Sequence, residues 1–196
     1  MTPIEWAALL LGFACVALAA LRSVWTFPTA IVSVGLVGVL VWRERLYSDA
    51  LLQLFFVAAN LYGWRSWSRA TAATGEVPVG AMTPSARIRW TAGTLAAALL
   101  WGGAMHALTD AAYPWWDAAI AATSVTAQLL MARRRIENWL VWIAVDLAAI
   151  PLYLAKGLHL LALLYLVYLG LALWGWLDWR AAHRRAAPIL SGACPA

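Results

Sequence analysis

Four residues of one apolar stretch could do chemistry together: Trp139, Trp142, Asp146 and Tyr153. Their spacings of three, four and seven place them on one face of a helix. Asp146 falls at the middle of its stretch. An acidic side chain at the centre of a membrane span costs about 3 kcal/mol on insertion scales, so it marks a functional contact by default. The plainer reading is an internal partner for a hydroxyl, a backbone donor or Asn60. Pro151 removes a backbone hydrogen bond in the same stretch and should bend it, as a hinge or as a simple packing kink.

A second stripe, at the same spacings, holds Gln53, Phe56, Asn60, Trp64 and Trp67. A side-chain amide in lipid needs a partner, so Gln53 and Asn60 should face the bundle interior, as helix-to-helix glue or as substrate contacts. Tyr165, Tyr168, Trp176 and Trp179 form a third group, and Gln128 follows Ser124 by one turn. Trp64, Trp142 and Trp176 lie a turn or more inside their stretches. Such aromatic pairs make a stacking slot for a flat ring, and a cationic ring gains further from the ring faces. Trp25, Trp42, Trp90, Trp101, Trp115 and Trp116 fit an interfacial belt instead. No arginine or lysine lies deep in a stretch, as an anionic substrate would want. The interior suits a neutral or cationic planar solute.

The elements that position these residues follow from composition. The 196 residues are 64% hydrophobic and only 12% charged, with a mean hydropathy of +0.75. That leaves too little polar surface to face water on all sides. The expected class is an all-α integral membrane protein. Seven transmembrane helices are predicted, at about 3–21, 25–42, 46–67, 90–108, 115–131, 136–155 and 158–179. The first lacks a basic leader and a small-residue cleavage site, so it reads as a retained helix. The linker Ser68–Arg89 reads as a mobile loop, and the polar tail from Arg180 as disordered.

Arginine and lysine then set the orientation. Eleven fall on one side: Arg22, Arg65, Arg69, Arg87, Arg89, Arg133 to Arg135, Arg180, Arg184 and Arg185. Only Arg43, Arg45 and Lys156 fall on the other. By the positive-inside rule the first side is cytoplasmic, with the N-terminus outside and the C-terminus inside. The net charge of +5 and pI of about 9.7 are thereby assigned to topology rather than to nucleic acid.

The sequence also repeats itself. Residues 40–67 align without a gap on 152–179, a shift of 175 − 63 = 112, with ten of twenty-eight pairs identical. Leucine matches are cheap in such a chain, but Gly63-Trp64 on Gly175-Trp176 and Trp67 on Trp179 are not. Two three-helix units, 1–67 and 113–180, flank a linker and fourth helix at 68–112, with a tail at 181–196. A three-helix unit is odd-numbered, so the fourth helix restores its direction. The result is a 3+1+3 parallel repeat, a transporter architecture with its site near mid-membrane between the halves.

Phosphate loops, zinc-type histidine pairs and nucleophile elbows are absent from the sequence, which speaks against an enzyme. His106, His159 and His183 receive no role. Cys15 and Cys194 are too far apart to suggest a disulfide or a metal site. No cofactor is expected.

The motifs Leu46 to Gln53, Asn60 to Trp67, Glu137 to Asp146 and Leu152 to Leu158 resemble the PnuC family of vitamin transporters, over nearly the whole of Arg22 to Trp179. The resemblance implies the full-length counterpart of the SWEET sugar-transporter fold. It implies facilitated uptake of nicotinamide riboside across the bacterial inner membrane, trapping by a cytoplasmic kinase, and homo-oligomeric assembly. Carried over residue by residue, the substrate site would use Asn60, Trp64, Gln128, Asn138, Trp142, Asp146, Tyr153, Tyr165, Tyr168 and Trp176. The aromatic rings would stack on the nicotinamide, while the amides and Asp146 would hold ribose hydroxyls and the carboxamide. Four positions depart from the family pattern. Phe27 stands before Pro28 where a tryptophan is expected, Ser33 replaces a frequent asparagine, and His159-Leu160 replaces a tyrosine and a polar residue. Relatives of this fold carry thiamine, riboflavin or deoxynucleosides. A membrane sensor that binds without flux is the alternative from another functional class.

Overall fold

The computed structural model describes residues 3–43, 47–109, 113–155, 157 and 159–190. Arg45, Leu46, Lys156, Leu158 and Cys194 of the sequence reading lie outside them. Seven helices follow one another: α1 (Pro3–Ala20), α2 (Thr26–Arg43), α3 (Tyr47–Thr74), α4 (Pro84–Leu108), α5 (Pro114–Ala132), α6 (Glu137–Ala155) and α7 (His159–Leu190). Among the described residues there is no strand, only a single parallel bridge between Gly80 and Arg135.

The surface is inverted relative to a protein dissolved in water. Ser33, Asn60, Gln128 and Asp146 are buried, Asp146 to 3% exposure, while Leu54, Leu99 and Leu100 stand in the open, Leu100 at 77%. An exterior of bare leucine with polar groups turned inward fits a hydrocarbon surround. By length and hydropathy alone, α6 and the His159–Arg185 part of α7 qualify as spans, and α1 and α2 hold shorter apolar stretches, Trp6–Ala20 and Thr26–Leu40. The remaining helices fall short because small or polar residues interrupt them, among them Gln53, Asn60, Thr94, Thr126 and Gln128.

Six helices close a ring in the order α1, α2, α3, α5, α6, α7 and back to α1; α4 stands outside and packs on α5. A two-fold exchange of α1–α3 with α5–α7 maps every contact of this ring onto another. The exchange holds at single residues 112 apart. Arg22 and Arg134 both take the left-handed backbone conformation, with φ of 56° and 58°. Each ends its helix with the same bond pair: Arg22 N–H to Ala19 O and Ser23 N–H to Leu18 O, then Arg134 N–H to Met131 O and Arg135 N–H to Leu130 O. This is a Schellman ending, which usually takes glycine at that position. Both guanidinium groups reach across to the opposite unit, Arg22 to Asp178 and Arg134 to Ser66. These cross-links put both helix turns and the C-terminal halves of α3 and α7 at one end of the bundle. The two units therefore run in the same direction, as the 3+1+3 reading requires.

Two segments are more ordered than the sequence predicts. Most of the linker is helix, with α3 continuing to Thr74 and α4 starting at Pro84, where Thr83 caps Ala86 N–H. A proline in the first turn and a threonine cap are ordinary start signals, masked in the sequence by the surrounding polar residues. The remainder is pinned. Gly80 exchanges backbone bonds with Arg134 and Ile136, Glu137 accepts from Met82 N–H and Arg87, and Val77 is buried. The tail, expected to be disordered from Arg180, instead extends α7 to Leu190, with His183 Nδ1 3.2 Å from Val79 O.

Candidate functional site

At the arginine-rich end, Phe27, Trp67, Trp139 and Trp179 are all fully buried and form one aromatic plug with Ala19, Ala20, Met131 and Ile136. Phe27 meets Trp67 edge-on at 5.0 Å, and Trp139 meets Trp179 edge-on at 5.6 Å. Residue 139 is 27 + 112, so these are the same contact made twice. Gly63 and Gly175 let the plug assemble, because a Cβ on either would run into the ring of Phe27 or Trp139 respectively.

Directly on this plug sits a cavity of about 320 Å³ inside the ring. Its size is at the small end of ligand pockets. α1 contributes Gly12, Cys15 and Val16, and α2 contributes Thr26, Ala30 and Ser33. α3 adds Gln53, Phe56 and Asn60, α5 adds Gln128, α6 adds Trp139, Trp142 and Asp146, and α7 adds Tyr165 and Tyr168. Helical spacing explains the selection: Gln53, Phe56 and Asn60 fall on one face of α3, and Trp139, Trp142 and Asp146 on one face of α6.

Several polar groups here are already satisfied. Gln128 donates to Asn60 Oδ1 at 3.0 Å, tying the two repeats together, and Asn60 donates to Phe56 O at 2.8 Å. Ser33 donates to Ala8 O at 2.8 Å and Thr26 to Cys15 O at 2.7 Å. Three groups on the wall are left over, the first being the Trp139 indole N–H at the plug. The Trp142 indole N–H is buried without an acceptor. Asp146 has no cation or hydrogen-bond donor among the described residues. A buried carboxylate lined by aromatic rings and left unpaired is a costly arrangement for a purely structural role.

The sequence candidates divide in two. Asn60, Gln128, Trp142, Asp146, Tyr165 and Tyr168 come together on the cavity wall. Tyr153 stands behind it, its ring 5.1 Å from that of Tyr165. Trp64, Asn138 and Trp176 lie off the wall. Trp64 is 39% exposed on the outer surface, because its neighbour Gly63 takes the inward position. Asn138 is fully buried beside the plug and donates to Arg135 O at 2.7 Å, closing the start of α6. Trp176 packs on the plug under the Arg180 guanidinium, 5.0 Å from its ring centroid. Gly12, Cys15, Thr26 and Ser33 were missed as wall residues. Small residues of α1 and α2 carry no polar stripe; the 112-residue shift was the usable signal, since Thr26 and Phe27 correspond to Asn138 and Trp139.

The family model described as "Nicotinamide mononucleotide transporter" matches residues 2–181. The chain belongs to this transporter family. Within it, the nicotinamide riboside transporter PnuC of Escherichia coli is 28% identical, over 96% of this chain and 90% of that one. The riboflavin/roseoflavin transporter RibM of Streptomyces davaonensis is 37% identical, over 94% and 88%. The crystal structure of the vitamin B3 transporter PnuC has the same fold, with a TM-score of 0.77 at 24% identity, covering 93% of this chain and 82% of that one. A family of transporters accords with a cavity held between two parallel three-helix units, and the expected membrane fold stands.

Proposed function

We propose that the chain is a facilitative transporter that imports nicotinamide riboside for NAD biosynthesis. The observation that carries this reading is Asp146: a buried, unpaired carboxylate facing a cavity walled by Trp142, Tyr165 and Tyr168. Nicotinamide riboside is a flat cation with hydroxyls and a carboxamide. The aromatic rings stack on its pyridinium, Asp146 supplies the countercharge or holds ribose hydroxyls, and the free Trp142 N–H meets an acceptor oxygen. Asn60 and Gln128 complete the polar contacts from the other repeat. The units 1–67 and 113–180 rock against each other across the plug, joined by 68–112. No ATPase motif or second membrane acid accompanies Asp146 in the sequence. A uniporter drained by a cytoplasmic kinase is therefore the simplest mechanism. The arginine-rich end is cytoplasmic, placing the N-terminus outside in the bacterial inner membrane, and family resemblance favours a homo-oligomer.

The similarity to RibM favours a second substrate, riboflavin, which also joins a flat heterocycle to a five-carbon polyol. Ser33, smaller than asparagine, widens the α2 wall as a three-ring substrate would need. The small cavity and the unpaired charge favour the single-ring cation. Thiamine, another flat cation, is the third competitor. Calorimetric titration with all three, followed by gradient-free flux into proteoliposomes, separates the readings. Tightest binding of nicotinamide riboside with flux supports the proposal. Preference for riboflavin moves the substrate, and binding without flux makes the protein a sensor.

A further inference from the structure

Outside the ring, α4 leans on α5 and leaves a second concavity against α3, of about 680 Å³. Its floor is made of small residues, Gly93, Ala97, Ala121 and Ala122 among them. The hydroxyls within it are satisfied: Thr94 and Thr126 share a bond of 2.7 Å, and Thr94 also donates to Trp90 O. The groove therefore offers an apolar occupant nothing polar to bind along its length. Charge appears at one end only. Arg89 lines that end, and the Arg133 guanidinium sits 5.0 Å from the Trp90 ring centroid beside it. Among the described residues neither arginine meets a carboxylate.

The dimensions identify the occupant. From Arg89 to Trp101 the groove follows twelve residues of α4, about 18 Å at about 1.5 Å per residue. One leaflet of the hydrocarbon core is half of about 30 Å. We propose that this groove binds an anionic phospholipid, with an acyl chain along Gly93 and Ala97 and its phosphate between Arg89 and Arg133. A phosphate answers two guanidinium groups that meet no carboxylate, and Trp90 beside them suits the membrane interface. The site lies beside the α3–α5 seam, one of the two helix pairs that pack the repeats together. Among the described residues no fourth helix packs on the other seam, α7–α1, so the lipid would brace one seam alone.

Native mass spectrometry of the delipidated protein, titrated with dioleoylphosphatidylglycerol and dioleoylphosphatidylcholine, tests this. The wild type should retain one phosphatidylglycerol in preference to phosphatidylcholine. The R89Q/R133Q double variant should lose about tenfold in phosphatidylglycerol retention and most of the preference, since each basic residue contributes separately to anionic lipid binding. Gly93→Leu fills the groove with a side chain that has open space around its Cβ, and it should reduce retention of both lipids. Equal retention of the two lipids by the wild type, or unchanged retention in both variants at unchanged thermal stability, would overturn the proposal. A wild-type oligomer that Gly93→Leu converts to monomer without altering bound lipid would instead assign the groove to a second copy of the chain.

Discussion

Trp67 and Trp179 meet on the pseudo-two-fold axis with ring centroids 5.6 Å apart, and each donates its indole N–H to the end of the other unit's first helix. Trp67 bonds Met131 O at 3.2 Å and Trp179 bonds Ala19 O at 3.1 Å. Donors and acceptors are both related by 112, since 179 − 67 and 131 − 19 are equal. One hydrogen bond is thus made twice, in opposite directions, to close the arginine-rich end of the cavity. Trp67→Phe and Trp179→Phe should each cost about 1 kcal/mol, the net worth of one hydrogen bond, since Met131 O keeps the Arg134 N–H and Ala19 O keeps the Arg22 N–H as donors. Thermal unfolding in detergent reads this, and a variant as stable as the wild type would show that the bond contributes nothing.

The glycines under the plug make a matched pair of tests. Gly63→Ala and Gly175→Ala should each destabilise by about 1–3 kcal/mol through overpacking. Trimming the ring that is struck should restore stability, so Gly63→Ala should be rescued by Phe27→Leu and Gly175→Ala by Trp139→Phe. Rescue by the wrong partner would contradict the pairing.

Two tryptophans that look alike in sequence should behave differently. Trp142→Ala removes part of the cavity wall and should weaken substrate binding at least tenfold, about 1.4 kcal/mol. Trp64→Ala, on the outer surface, should leave the dissociation constant within about twofold. Calorimetric titration of both variants would expose an error in either assignment.

Glu137 holds the linker through Met82 and Arg87. Glu137→Ala should undock it, and trypsin should then cleave after Arg87 or Arg89 much faster than in the wild type. Unchanged cleavage would mean that the Gly80 backbone bonds alone keep the segment in place.

Much of this architecture was legible because a membrane imposes simple rules. The apolar stretches predicted seven helices, and Gly-Trp-x-x-Trp revealed the duplication. Asp146, Asn60 and Gln128 were readable as inward-facing because lipid offers such groups no partner. Trp64 and Trp176 were harder. Helical spacing groups residues on a face without saying which face a neighbouring helix covers, and the glycine before each tryptophan is what gives the inward position to the plug. The linker was misread for a similar reason: Gly80 finds its partners in the α5–α6 turn, more than fifty residues away, and Val79 O meets His183 of α7, so nothing local announces their order.

The central claim is that the ring cavity binds a flat cation through Asp146 and passes it without energy input. The direct test follows labelled nicotinamide riboside into proteoliposomes containing the wild type or Asp146→Asn, without ion gradients. The wild type should equilibrate the label and never concentrate it, and the folded variant should be slower by at least about tenfold, the scale of one lost charge-assisted contact. Accumulation that appears only under an imposed gradient, or wild-type flux through Asp146→Asn, would contradict the account.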